Sequence, residues 1–225
     1  MSENHYTHKL YPLQDKVLAA LGDLKSTFYL TGGTTLSRHY LHHRYSDDLD
    51  FFFNQDKNFK GETEAAIQLL KNSFEIDVKV VSESYVQLTI DPKDVPLKVE
   101  FVNDVGYRFD QPISTNLFVR TDNWRNILSN KITALSREAP KDIADIVFLS
   151  QKFNFNWIDI ILEARSKDSW VSELQTFKML DGYAIDKLQN VNWIEIPDFN
   201  KIEELLKTIA KDILLGGDNS LAQVQ

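Results

Sequence analysis

The sequence contains no cysteine, which excludes a disulfide framework and any thiolate metal site, so nothing in it calls for an oxidising compartment. A long apolar run is missing too. No stretch approaches the ~18 residues that a membrane span needs, and the opening MSENHYTHKLYPLQDK has no apolar signal core. Nor is there an excess of positive charge. With 25 Lys and Arg against 33 Asp and Glu, the formal net charge is -8. That balance argues against a general basic surface that coats nucleic acid and leaves room only for a local basic cleft. Internal repeats, low-complexity tracts and Gly/Ser linkers are also absent. The expectation is a cytoplasmic protein with no membrane partner.

What is present is ordinary globular composition: 225 residues, 43% hydrophobic and 26% charged, enough for one large domain or two small ones. Its periodicity changes along the chain. Leu13, Val17, Leu18, Leu21 and Leu24 recur at helical spacing. A β-branched and aromatic run, residues 27–31, then stops at Gly32-Gly33, and residues 34–42 read as a short helix. The stretch DLDFFFN, residues 48–54, reads as a strand with Asp48 and Asp50 on one face and Leu49 and Phe51 on the other. A helix over 61–74 and strands at 77–81, 85–90 and 97–102 follow. From Asp122 onward the pattern is almost wholly helical, with helices at 124–137, 141–153, 157–164 and 202–215. The fold class is therefore α+β, with an α+β half over 1–120 and a helical half over 121–225.

The chemistry-bearing residues concentrate in the first half. Glycines let the backbone turn sharply and approach a phosphate closely, and the helix that follows offers unsatisfied N–H groups and a positive dipole end. Asp48 and Asp50, at i and i+2 on a strand, project the same way about 7 Å apart. Both can reach the same hard cation, and magnesium commonly completes its shell with substrate phosphates. A glycine pair before a helix is most often only a turn, and an acidic run such as SDDLD is most often a solvated loop. Here Phe51, Phe52 and Phe53 tie the acids to a core strand, and anion cradle and carboxylates together suit a nucleoside triphosphate with magnesium, or manganese in its place.

Two blocks carry a resemblance. YLTGGTTLSRHYLHHRYSDDLDFFF is similar to the signature of the AbiEii/AbiGii-type nucleotidyltransferases, a branch of the polymerase-beta-like superfamily that includes toxins of type IV toxin-antitoxin systems. NILSNKITALSREAPKDIADIVFLSQ resembles the helical block of the same family. The resemblance implies a polymerase-beta-like core with a mixed sheet flanked by helices, followed by a helical C-terminal bundle. It also implies that Gly32, Gly33 and Thr34 bind the triphosphate and that Asp48 and Asp50 hold metal ions. A third carboxylate, matched by Glu100 in LKVEF, would act as metal ligand and general base, with Asp104 and Asp94 as alternatives. Strand alternation puts Lys98 on the face of Glu100, where it would touch phosphate or pair with Glu100. Arg44 would steady the DDLD loop or contact phosphate. In the second block Lys131 would neutralise a phosphate, with Arg137, Lys141, Asp142 and Asp145 around it; the bland reading of these is a capping and salt-bridge network.

His39, His42 and His43 do not make a zincin motif, because no Glu accompanies the i, i+4 pair His39 and His43. Trp124, Trp157, Trp170 and Trp193 read as core aromatics. The resulting expectation is a nucleotidyltransferase that moves a nucleotide monophosphate from an NTP to an acceptor hydroxyl, acting as an AbiEii-like toxin with a cognate antitoxin protein. The acceptor stays open between an RNA end, a protein and a small molecule. Two rival readings are a catalytically inert partner-binding scaffold of the same fold and an antibiotic-type small-molecule nucleotidyltransferase.

Overall fold

The computed structural model describes residues 3–91 and 93–222. The chain divides into two compact units. One runs to Gly106 and includes Gln111–Asn123; the other takes Tyr107–Asp110 and the chain from Trp124 onward.

In the first unit a short helical lead-in, Glu3–His5 and a π-type turn Tyr6–Leu10, passes into α1 (Tyr11–Gly22). Pro12 sits in the first turn of α1, where its missing N–H costs no bond. Then come β1 (Tyr29–Thr31), α2 (Gly32–Thr35) extended by a π-type turn Leu36–Leu41, β2 (Leu49–Asn54), α3 (Phe59–Lys71), β3 (Ile76–Val81), β4 (Tyr85–Ile90) and β5 (Leu97–Asp104). The five strands form one mixed sheet in the order β1-β2-β5-β4-β3. Its centre is a parallel pair, β2 and β5, in which Leu49 lies opposite Val99, Asp50 opposite Glu100 and Phe51 opposite Phe101. All other pairs are antiparallel.

Alternation divides this sheet into two faces. Leu49, Phe51 and Phe53 of β2, Val86, Leu88 and Ile90 of β4, and Leu97, Val99 and Phe101 of β5 are buried. They join Leu13, Val17 and Leu21 of α1 and Phe59, Ala66 and Leu70 of α3 in one core cluster. Phe28 is the aromatic hub of this core, its ring 5.2 Å from Phe51 and 5.6 Å from Phe101 in edge contacts. Each such fully buried side chain contributes roughly 1.5–3 kcal/mol of transfer free energy. The opposite face presents Asp50, Tyr85, Gln87, Thr89, Lys98 and Glu100, all half-buried.

The second unit carries α4 (Trp124–Thr133), continued by a 3-10 turn Ala134–Arg137, then α5 (Pro140–Lys152), α6 (Trp157–Lys167), α7 (Glu173–Asp181), a 3-10 turn Ile185–Asn190, and α8 (Phe199–Leu215). Their ends are set by local chemistry. Asn156 caps α6 by accepting from Ile158 N at 2.8 Å, Asp198 caps α8 by accepting from Asn200 N at 2.9 Å, and Gly216 closes α8 with φ +62. Trp157 is fully buried, and Trp124 stacks on Phe153 at 4.2 Å. Ile127, Ile132, Ile146, Ile161 and Ile209 are fully buried in this unit. Among the described residues no helix is long and apolar enough to cross a membrane.

Candidate active site

The site of the first unit grows from the turn between β1 and α2. Gly32 has φ +70, a conformation L side chains rarely adopt. A Cβ there would also overlap Asp50 Oδ2, so glycine is required twice, by the backbone and by the carboxylate beside it. At Gly33 a Cβ would lie 2.6 Å from Arg44 Nη2 and 3.0 Å from Ser46 Oγ. The glycine pair therefore lies against Asp50 on one side and against the loop before β2 on the other.

That loop is anchored from several directions. Arg44 is buried and donates to Tyr45 O at 3.0 Å. Gln14 of α1, wholly buried, donates to Ser46 O at 3.2 Å, and the Tyr6 hydroxyl donates to Asp47 Oδ1 at 2.7 Å. Tyr6 and Tyr45 stack at 4.1 Å. Within SDDLD, Asp47 is thus engaged by Tyr6, while Asp48 and Asp50 turn to the polar sheet face. The strand starts at Leu49, so Asp48 stands at its mouth rather than inside it.

Thr34 follows the glycine pair. Its side chain is fully buried and the hydroxyl donates to the backbone carbonyl of Asp48. Through that bond the residue fixes the acidic loop beside the glycine turn. The turn folds Thr34 under the loop, where a hydroxyl must find an internal acceptor.

The register of β2 and β5 sets Glu100 directly beside Asp50. Of the three acids considered for the later strand, Glu100 alone has that position: Asp104 ends β5 opposite Asn54, and Asp94 is exposed and 3.8 Å from Lys9. Lys98 Nζ lies 2.9 Å from Glu100 Oε2 and 2.9 Å from Asp48 Oδ2, so one ammonium bridges two of the acids. The other oxygen of Glu100 accepts from the Tyr85 hydroxyl of β4, whose oxygen also lies 3.0 Å from the side-chain amide of Gln87.

These contacts move the titrations. Burial alone would raise the Glu100 carboxyl, but the hydrogen bonds from Tyr85 and Lys98 and the Lys98 charge bring it below its ordinary value. Burial would lower Lys98, yet its two carboxylate partners hold it above the usual lysine range. Burial and the bond to Glu100 push the Tyr85 phenol up to about 12. Tyr85 was not legible as a site residue in the sequence: its place follows from the β4–β5 register, which sequence does not print.

The donors here are carboxylate oxygens, the type hard divalent cations prefer. Among the described residues, no three acidic or imidazole groups stand as a ready-made metal cage. Asp48 and Glu100 meet a cation now, the Lys98 ammonium. The set fits a divalent ion in donor type, with Lys98 standing between two of the acids. His43 is buried, and His42 takes a left-handed conformation at the end of the π-type turn, φ +54.

The residues of the second block lie in the helical unit and are described within it. Lys131 is 9% exposed in its side chain and pairs with Asp142 Oδ1 at 2.5 Å and Asp145 Oδ2 at 2.8 Å. Arg137, largely exposed, reaches Asp142 Oδ2 at 3.3 Å, and Lys141 is exposed. Asp142 and Asp145, one helix turn apart on α5, thus clamp a lysine from α4 and fix these two helices to each other.

The comparisons with known proteins agree with this architecture. A candidate nucleotidyltransferase from H. pylori, known from its crystal structure, superposes with a TM-score of 0.65 at 22% identity, with 96% of each chain covered. JHP933 from Helicobacter pylori superposes with a TM-score of 0.59 at 22% identity, over 96% of this chain and 94% of its own. At such identity the likeness establishes the fold, and no curated protein matches the sequence. The sequence profile of the family described as "Nucleotidyl transferase AbiEii toxin, Type IV TA system" matches residues 16–207. With a profile that spans most of its length, the chain belongs to the AbiEii family of nucleotidyl transferase toxins of type IV toxin-antitoxin systems.

Proposed function

We propose that this nucleotidyltransferase is magnesium-dependent, with manganese able to replace magnesium, and transfers a nucleotide monophosphate from an NTP to an acceptor hydroxyl in the cytoplasm, held in check by a cognate antitoxin. One observation carries the reading: Asp48, Asp50 and Glu100 gather on one sheet face beside Gly32, a glycine in the left-handed conformation with a carboxylate against it.

Asp48, Asp50 and Glu100 would hold the ion. When bound, it supplies electrophilic stabilisation of the charge that develops on the phosphates. Gly32 and Gly33, without side chains, let the triphosphate approach the backbone at the start of α2. Thr34 acts through the Asp48 carbonyl as a positioning residue. Arg44, buried against Gly33 and donating to Tyr45 O, steadies the loop that carries Asp48. Glu100 takes the proton of the acceptor hydroxyl as the new bond forms between acceptor oxygen and α-phosphorus and the bond from α-phosphorus to pyrophosphate breaks. Tyr85 holds the other oxygen of Glu100, which orients the carboxylate for that transfer.

The test is calorimetric titration of each of the four NTPs with magnesium or manganese against the wild type and an Asp48→Ala/Asp50→Ala variant. Metal-dependent binding of at least one NTP, lost in the double variant, is expected. Failure of the wild type to bind any NTP refutes the reading.

A further inference from the structure

Lys98 stands two residues before Glu100 on β5 and reaches sideways to the mouth of β2. Its ammonium lies 2.9 Å from Asp48 Oδ2 and 2.9 Å from Glu100 Oε2. Two of the three acids assigned to the metal are therefore joined by a cation that the chain itself supplies. Without it, Asp48, Asp50 and Glu100 would face one another as like charges on one strip of sheet. A divalent ion coordinated by the same oxygens and an ammonium at hydrogen-bond distance from both compete for one place.

The lysine is built to leave. Its side chain is 36% exposed, so the head group rests on a flexible four-carbon stem that is not packed in the core. Glu100 is built to stay, since Tyr85 of the neighbouring strand holds its Oε1 while Lys98 holds its Oε2. Departure of Lys98 frees one oxygen of each acid and leaves Glu100 oriented.

The geometry points to Lys98 as a resident cation that closes the acid cluster and exchanges with the divalent ion, so that metal entry and lysine release are one event. This rests on the reading of Asp48, Asp50 and Glu100 as metal ligands. The released ammonium, still tethered at the edge of the site, is placed to pair with a triphosphate oxygen. Metal and nucleotide then favour each other's binding, because the nucleotide supplies the partner that Lys98 loses when the metal arrives.

The test is a titration of the whole chain with Mn2+ alone, followed by electron paramagnetic resonance, in wild type, Lys98→Met and Lys98→Arg. Lys98→Met should bind Mn2+ at least about tenfold more tightly than wild type, since one charge ~4 Å from a dication is worth roughly thirtyfold even at the dielectric of bulk water, before salt screening. Lys98→Arg keeps the charge and should stay within about twofold of wild type, which separates charge from disturbed packing. A lysine with a merely structural role would leave Mn2+ affinity unchanged or lower it on replacement. An affinity in Lys98→Met equal to or below wild type overturns the exchange. The calorimetric NTP titration then tells the two failures apart: metal-dependent NTP binding by the wild type leaves the metal reading standing, and its absence removes both.

Discussion

Replacing Gly32 by alanine tests the site at the point where backbone and chemistry meet. Two separate penalties follow from the structure. With φ +70, any L residue at this position occupies the left-handed region, at roughly 1–2 kcal/mol. The added Cβ also overlaps Asp50 Oδ2, so the carboxylate must rotate or the turn must open. For a chain of this size each kcal/mol lowers the melting temperature by about 2–4 °C, so the backbone penalty alone predicts a fall of about 2–8 °C. A displacement of about 1 Å at a positioned group can change function about a hundredfold, so metal-dependent NTP binding should fall much further than stability. Thermal melting and calorimetry on the same preparations measure the two. Gly22→Ala is the control, since a Cβ there meets Phe118 and Val119 at an ordinary 3.9 Å within α1, and the change should hold or raise the melting temperature. In an Asp50→Ala background the overlap is gone, and Gly32→Ala should cost less than it does alone. If Gly32→Ala matched Gly22→Ala in both melting and binding, the argument for a required glycine would be wrong.

Three further outcomes follow from the same contacts. Lys131→Met leaves the buried Asp142 and Asp145 without the ammonium between them and should destabilise the protein by about 3–5 kcal/mol in denaturant unfolding; a loss under about 1 kcal/mol would mean the cluster contributes little. Thr31→Val removes the hydroxyl that donates to Asp122 Oδ2 at 2.7 Å in a fully buried setting and should cost about 1–3 kcal/mol by the same method; wild-type stability would deny that bond a role. Burial, with Glu138, Asp186 and Asp142 nearby, raises the Tyr183 phenol to about 12 from 10.0. A raised phenol adds stability below pH 10 that is lost as pH climbs through about 12. The Tyr183 hydroxyl has no hydrogen-bond partner among the described residues, so Tyr183→Phe should match the wild type near neutrality and lose less stability between pH 10 and about 12. An alkaline unfolding curve identical to wild type would remove Tyr183 from that titration.

Much of this could be read from local pattern. The alternation in DLDFFFN predicts a half-buried strand, and β2 has Leu49, Phe51 and Phe53 in the core with Asp50 on the other face. LKVEF does the same for Glu100 and Lys98. The helix of the glycine turn is legible by residue type, but its change to a π-type turn at Leu36–Leu41 is not. Anything that depends on which strands pair was out of reach. Tyr85 enters the site only because β4 runs antiparallel to β5 with Gln87 opposite Glu100. Tyr6 and Gln14 support the acidic loop from more than thirty residues away, at separations that no periodicity records. Thr34 illustrates the converse: its residue type suits an anion site, and only its burial reveals that the hydroxyl is committed to Asp48 O.

The register of the parallel pair is where folding and chemistry become one constraint. In β2 and β5 successive side chains alternate between the core and the polar face, so a slip of one residue in either strand would exchange the faces of all of them. Slipping β5 would drive Lys98 and Glu100 in among Phe28, Phe51 and Leu88 and put Leu97, Val99 and Phe101 on the polar face. Burying an unpaired carboxylate in such a setting costs several kcal/mol, on top of the apolar burial lost by three core side chains. The slipped sheet is therefore disfavoured by the same residues that constitute the site. It follows that the acids need no separate device to bring them together: a sheet that buries its Phe and Val side chains has already placed Glu100 beside Asp50. The local devices, Gly32, Thr34, Lys98 and Tyr85, have only to set the orientation of carboxylates whose positions the hydrophobic pattern determines.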